Sequence, residues 1–254
     1  MSRPDLAATG DVPTVVFLPG NGHVEERLAP AREAIAAGSS EDSFHLRSVH
    51  YDTGLGSFEE LLQSVAAEIQ GADLVYGTGI GGLVALALRA RGVTQVPIIL
   101  QGPVLWGLET RRFPKLMRLP GMPKLLVFML KRPSVRRRFE RKHFEKPLRE
   151  GLGAPFFGGY GDSRAFAKWF RWLTPALLRQ LEPKLRGRAD LIDGCRVWWG
   201  DRDHVVDLRE LRLTERRLSL TFPLRRFPDW GHYPMIDQPT EWVSEVKRVL
   251  ATTR

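Results

Sequence analysis

The chain has 254 residues, 43% of them hydrophobic, with 38 Lys and Arg against 29 Asp and Glu and a formal net charge of +9. This length suits one α/β domain with an insertion, and the basic excess favours acidic partners. The single cysteine, Cys195, excludes an intramolecular disulfide. Residues 1–13 lack a signal-peptide pattern, and no run approaches the roughly 20 apolar residues of a membrane span. We therefore expect a soluble, cytoplasmic protein.

Strands and helices alternate in the first part of the sequence. Short apolar, β-branched segments predict buried strands, and the periodic segments between them, ended by glycine, predict helices. Ser57 with Glu60 three residues later forms a capping box, which predicts a helix start. The predicted strands are 14–18, 44–50, 73–76 and 96–100, and the predicted helices are 24–37, 57–71 and 80–91. This alternation predicts an α/β fold with a doubly wound, mostly parallel sheet.

The alternation stops after residue 103. Residues 104–188 contain no convincing core strand, and they are helical, strongly basic and interrupted by Pro and Gly. The strand and helix patterns return at 195–199, 220–227 and 240–250. We predict a core formed by residues 1–103 and 189–254, with residues 104–188 inserted as a helical basic cap.

Residues 74–83 (LVYGTGIGGL) predict a buried strand, a sharp turn and the start of a helix. Gly77, Gly79 and Gly82 satisfy the G-x-G-x-x-G spacing of a dinucleotide-binding fold. That motif normally follows the first strand, and here it follows the third. No carboxylate for a ribose stands about 20 residues further on. The other interpretation is a nucleophile elbow, G-x-S-x-G, with Gly79 in the place of the serine.

Four segments, in order, resemble the α/β-hydrolase superfamily, especially the capped group of haloalkane dehalogenases, epoxide hydrolases and carbon–carbon bond hydrolases. They are an oxyanion loop at 17–22 (FLPGNG), the elbow at 77–82, the acid loop at 198–206 (WWGDRDHVV) and the histidine loop at 229–239 (DWGHYPMIDQP). The resemblance implies an α/β-hydrolase fold with the cap in the inserted segment. It implies His232 as the base and Asp203 as the acid that orients it, with Asp201 as the second choice.

Gly79 changes what this site can do. Without a side chain at the tip of the elbow, an acyl-serine or alkyl-aspartate intermediate cannot form there. The resemblance still implies an oxyanion hole made by the backbone amides of Asn21 and Ile80. Thr78, one residue before the tip, is a further candidate binding residue, or a wall or turn residue. The missing side chain leaves room beside His232 for water or a substrate atom.

Three functional hypotheses follow. In the first, His232 acts as a general base on the substrate itself, as in a lyase, isomerase, cyclase or decarboxylase. In the second, His232 activates a water molecule that hydrolyses an ester or thioester. Alternatively, the protein is a catalytically silent pseudo-hydrolase that binds a ligand or partner. We favour a non-canonical enzyme that acts on a small-molecule carbonyl compound (ester, thioester or keto acid). We expect no cofactor, and no metal because the histidines lack metal-ligand spacing.

The segment 111–146 is the most basic part of the chain, with thirteen Lys or Arg and two Glu interleaved with apolar residues. One interpretation is an amphipathic cap on an anionic membrane surface, and another is a docking site for an acidic carrier protein or for coenzyme A phosphates. A third is a solvated face without a partner. We find no nucleic-acid-binding motif and expect no nucleic acid. Salt-sensitive binding would distinguish these alternatives.

Overall fold

A computed structural model describes residues 12–21, 25–38, 43–52, 54–144, 147–161 and 163–253. It contains a six-stranded sheet in the order β2-β1-β3-β4-β5-β6, and every neighbouring pair is parallel. The strands are β1 (Thr14–Leu18), β2 (His45–Ser48), β3 (Leu74–Thr78), β4 (Ile98–Gln101), β5 (Cys195–Gly200) and β6 (Leu224–Phe227). All six strands lie where the sequence predicts them, and the predicted parallel sheet is confirmed.

The order of the strands creates a switch point between β1 and β3. From β1 the chain crosses to β2 on one side, and from β3 it crosses to β4 on the other side. Crossovers that leave in opposite directions open a crevice at the carboxyl ends of the two strands. Leu18 at the end of β1 pairs with Gly77 near the end of β3. The predicted oxyanion loop and the predicted elbow therefore start side by side.

Helices cover both faces of the sheet. The helices before β5 are α1 (Ala29–Ala36), α2 (Phe58–Glu68), α3 (Ile80–Ala90), α4 (Arg112–Met117), α5 (Met122–Met129), α6 (Pro133–His143), α7 (Gly153–Gly158), α8 (Ser163–Trp172), α9 (Pro175–Leu185) and α10 (Ala189–Ile192). Those after β5 are α11 (Leu208–Leu218), α12 (Pro234–Asp237) and α13 (Pro239–Thr253). Short 3-10 helices span Glu25–Leu28 and Trp106–Glu109. Ser57 caps α2, as predicted, by accepting a hydrogen bond from the amide of Glu60.

Alternate side chains of the central strands enter opposite layers of the core, as the two-residue period of a strand requires. In β1, Val16 and Leu18 pack in one layer with residues of α2, α3, α9 and α11. Val15 and Phe17 pack in the other layer with residues of α1, α12 and α13. Both sets are almost completely buried, so the strands are rigidly held and fix the positions of the loops that follow them.

The residues predicted as a cap form helices α4–α9 and the Trp106–Glu109 3-10 helix, and no strand is found in the described part of 104–188. Helices α4 and α5 pack against α8, whereas α9 packs against α3 beside the sheet. The boundaries between core and cap stay a prediction. Among the described residues, no helix is long and apolar enough to span a membrane.

Candidate active site

Gly79 forms the tip of a sharp turn between β3 and α3. Its backbone has φ 55° and ψ −114°, in the left-handed half of the map that favours glycine. A Cβ on Gly81 would lie 1.9 Å from the carbonyl oxygen of Leu18, and one on Gly77 would lie 2.7 Å from the oxygen of Gly81. These two glycines are needed for the close approach of the helix to the strands. The glycine-rich spacing therefore has a steric cause in a nucleophile elbow, and no dinucleotide is needed to explain it.

His232 and Asp203 form a buried hydrogen-bonded pair. Nδ1 of His232 lies 2.7 Å from Oδ2 of Asp203, and the two side chains are 4% and 0% exposed. Asp203 follows β5, and His232 follows β6. Because a carboxylate only accepts hydrogen bonds, Nδ1 carries the proton and Nε2 is the basic atom of the neutral ring. Asp201, the second choice from the sequence, instead pairs with Arg226 at 2.8 Å.

Asp203 is held in its charged form by its surroundings. Its Oδ1 accepts hydrogen bonds from the amides of Val205 and Val206 at 2.7 and 3.0 Å. Burial raises the pKa of this carboxyl, but the attraction of His232 and the hydrogen bonds from the ring and the two amides outweigh it, so that the pKa is lowered. A fixed, charged Asp203 orients the imidazole and stabilises the imidazolium that forms when Nε2 takes a proton.

The basic nitrogen of His232 faces the tip of the elbow. A Cβ on Gly79 would lie 3.5 Å from Nε2 of His232. This is the arrangement expected of a base that serves an elbow residue, except that glycine presents no hydroxyl or carboxylate. The space next to Nε2 is open to a water molecule or to an atom of a substrate.

Gly102, at the end of β4, lies directly against this pair. Its φ is 44°, and a Cβ there would lie 2.7 Å from Oδ2 of Asp203 and 3.2 Å from Nδ1 of His232. Only a residue without a side chain lets the main chain pass so closely. Gly102 is not among the site residues predicted from the sequence. The available signal was its place after a predicted strand, at the edge of the sheet where the other candidate residues also lie.

A cavity of about 830 Å³ opens in front of the pair. The predicted site residues that line it are Asn21, Gly79, Ile80, Asp203 and His232. As the first residue of α3, Ile80 has a backbone N–H with no acceptor inside the helix. Thr78 is buried and is absent from the described lining of this cavity, so its side chain is not brought together with the others.

The predicted cap contributes much of the cavity wall. Its lining residues include Leu126, Phe139, His143, Tyr160, Phe166 and Phe170. The side-chain amide of Asn21 lies 3.5 Å from the carbonyl oxygen of Phe166, which places the loop after β1 against α8. The cap therefore supplies several aromatic and apolar side chains to the pocket wall, together with basic residues such as Arg112 and Lys142.

His143, at the end of α6, is a second imidazole in this cavity. Its Nδ1 lies 2.8 Å from the carbonyl oxygen of Phe139, so Nδ1 carries the proton. Its own carbonyl oxygen accepts a hydrogen bond from the amide of His232 at 3.3 Å, and the two ring centres are 6.2 Å apart. Burial, followed by repulsion from His232, lowers the pKa of His143 to about 3. His143 is not among the site residues predicted from the sequence, in which the histidines lack metal-ligand spacing and no other motif marks this one.

Among the residues that the structure describes, no group of three or more His, Cys, Asp or Glu side chains could hold a metal ion. The described site brings together the imidazole of His232, the carboxylate of Asp203, the first residue of α3 and a partly apolar pocket wall.

The solved structures with a similar fold include three different proteins. An α/β hydrolase fold protein from Burkholderia ambifaria has a TM-score of 0.70 at 15% identity and covers 93% of this chain and 90% of its own. A loop variant of a haloalkane dehalogenase from Bradyrhizobium elkanii has a TM-score of 0.67 at 16% identity, with coverages of 96% and 90%. A membrane phospholipase A described as a bacterial virulence factor has a TM-score of 0.59 at 20% identity, with coverages of 96% and 80%. Identities this low establish the fold alone.

No curated protein sequence is significantly similar to this chain. A model of the alpha/beta hydrolase family matches residues 5–246, which is nearly the whole sequence. With the parallel sheet and the sharp turn after β3, this match shows that the chain belongs to the alpha/beta hydrolase family.

Proposed function

We propose that this protein is a non-canonical enzyme in which His232 acts as a general base on a small carbonyl compound without a covalent intermediate. The observation that carries the proposal is the position of Nε2 of His232, which faces Gly79 at 3.5 Å from where a Cβ would stand. The base is oriented by Asp203 at 2.7 Å, yet the elbow offers it no protein nucleophile. An oriented base without a protein nucleophile next to it can accept a proton only from water or from the substrate.

For an ester or thioester, the steps are as follows. Nε2 of His232 takes a proton from water as the water oxygen attacks the carbonyl carbon. The resulting oxyanion accepts hydrogen bonds from the backbone amides of Asn21 and Ile80. When the tetrahedral species collapses, the bond to the alcohol or thiol breaks, and the proton on His232 passes to that leaving group. For a keto acid, the same base removes a proton from the substrate.

The cavity sets the class of substrate. Its volume of about 830 Å³ and its aromatic wall, including Phe166 and Phe170, suit a medium-sized apolar acyl or ketide chain. Several basic residues also line it, including Arg112 and Lys142, which favours a substrate or product with negative charge.

The test is turnover by wild type and by His232→Gln with a panel of esters, acyl-coenzyme A thioesters and β-keto acids, followed by mass spectrometry. Loss of a general base lowers kcat/KM by about 10² to 10⁴. The same replacement at His45, an exposed residue of the edge strand β2, is the matched control and should be fully active. Intact-mass measurement during turnover should show no acyl adduct on the protein.

An active His232→Gln variant or a covalent adduct would contradict the proposal. If wild type and His232→Gln, both folded, produce no difference with any substrate, the alternative gains support. In that case the chain is a pseudo-hydrolase whose cavity binds a ligand or partner.

A further inference from the structure

The hairpin of α4 and α5 exposes an unusual amount of apolar surface. Apart from Val12, all the exposed large hydrophobic residues in the described part of the chain lie between residues 113 and 129. Two of them, Leu119 and Phe128, are 53% and 56% exposed. We call this surface the hairpin face, and its members are Phe113, Leu116, Leu119, Leu125, Phe128 and Met129.

The helix α5 is apolar on both sides. Met122 and Leu126 pack against the core layer that contains Phe166 and Phe170, while Leu125 and Phe128 point away from it into solvent. Lys124 is the only charged residue in this helix. A helix that is hydrophobic all round is normally buried in a protein or in a membrane. Folding of this chain accounts for one side of α5. The other side stays exposed, with the guanidinium of Arg132 lying 5.8 Å from the centre of the Phe128 ring.

The hairpin face is surrounded by positive charge. Exposed cations on and beside it include Arg112, Lys115, Lys124, Lys131, Arg132 and Arg137, and none forms an ion pair with a described carboxylate. Glu140 is the only described acidic residue between 111 and 144, and its carboxylate accepts a hydrogen bond from the amide of Leu148. The surface therefore combines exposed apolar side chains with cations that lack a described carboxylate partner, and it is complementary to an anionic partner.

The hairpin face is continuous with the cavity. Phe113 is exposed on the surface and also lines the cavity, as does Arg112. The ring of Phe113 stands edge-on to Phe170 of the cavity wall, with 5.7 Å between ring centres. An apolar path thus leads from the exposed side chains to the inside of the pocket.

We propose that the hairpin face binds the surface of an anionic lipid bilayer. The exposed leucine, phenylalanine and methionine side chains enter the boundary between headgroups and acyl chains, and the surrounding lysines and arginines bind lipid phosphates. An acidic protein would meet the charges equally well, and its binding is the alternative that the vesicle experiment tests. We prefer the bilayer because α5 is hydrophobic on its exposed side as well as its packed side, as is typical of a helix that is buried in a protein or in lipid. The proposal needs no catalytic step, so it stands independently of the function proposed above.

The experiment is co-sedimentation of the full chain with vesicles of phosphatidylcholine alone or of phosphatidylcholine mixed with phosphatidylglycerol. We expect binding to the mixed vesicles only, with loss at high salt because screening weakens the charge contribution. Replacing Leu125 and Phe128 together by Ser should abolish binding. Replacing Lys115 and Lys124 together by Glu should weaken it by at least about 25-fold, since each lysine contributes about fivefold near an anionic surface.

The matched control reverses two exposed arginines outside the hairpin, Arg179 in α9 and Arg216 in α11, to Glu. This control has the same net charge as the lysine variant and should bind like wild type. Far-ultraviolet circular dichroism checks that each variant is folded. We expect folded variants because all the substituted residues are exposed. Failure of wild type to bind the mixed vesicles at low salt would overturn the proposal. Equal loss in the control would overturn it as well, since net charge alone would then explain the binding.

Discussion

Replacing Gly79 by serine would return a hydroxyl to the elbow. A Cβ at this position lies 3.5 Å from Nε2 of His232, so one rotamer of the serine brings Oγ within hydrogen-bond reach of the base. The cost is backbone strain, because φ is 55° and a side chain in this region destabilises the fold by about 1 to 3 kcal/mol. We expect Gly79→Ser to be less stable than wild type by this amount and to become reactive.

The assay is labelling with a fluorophosphonate probe, together with unfolding in denaturant. Gly79→Ala is the matched control, because it has the same backbone strain without a hydroxyl. We expect label on the serine variant only, and an equal loss of stability in both variants. If the serine variant is as stable as the alanine variant but takes no label, then His232 and the oxyanion amides are not aligned as the structure places them. Label on wild type would mean that another residue is the nucleophile.

Two further changes test the surroundings of the pair. The pKa of His143 is about 3 in the folded chain against 6.5 as the ordinary value, so the unfolded chain takes up the proton first as the pH falls. The free energy of unfolding should therefore drop by about 2 kcal/mol between pH 7.5 and 5 in urea titrations. His143→Phe should lack this drop. If the free energy of unfolding of the variant falls between pH 7.5 and 5 as much as that of wild type, His143 is not a buried neutral imidazole. Gly102→Ala should lower the free energy of unfolding more than Gly92→Ala. Gly92 is the control because it also has positive φ but has open space around it. Equal losses in the two variants would show that the Asp203–His232 pair moves aside without cost.

The sequence predicts the middle of the sheet well because β1, β3, β4 and β5 are short, largely apolar and buried, whereas the edge strands β2 and β6 are partly exposed. Segments such as 14–18 and 195–199 have no other stable place than the middle of a parallel sheet. The order of the elbow, acid and histidine loops likewise predicts that Asp203 and His232 meet, and the structure brings them to 2.7 Å from each other. Thr78 shows the limit of this reasoning, because adjacency to the elbow in sequence does not bring its side chain into the cavity.

The contributions of Gly102 and His143 depend on tertiary packing that the sequence does not display. Gly102 matters because β4 lies next to β5, which brings its main chain against Asp203. His143 stands far from His232 in sequence, and it reaches the cavity only because α6 ends there. Likewise, α9 resembles the other helices of 104–188 in composition but packs on α3. Long-range contacts of this kind are set by the fold as a whole.

The hydrogen bond from the amide of His232 to the carbonyl oxygen of His143 joins the base to the wall of its own pocket. The C-terminal end of α6 therefore does not move away without releasing the main chain that carries the imidazole. A displacement of the end of α6 would therefore do two things at once. It would widen the pocket, and it would release the main chain that positions the His232 ring. Under the function proposed above, a substrate that displaced α6 outward would find the His232 imidazole in position only after the helix had returned.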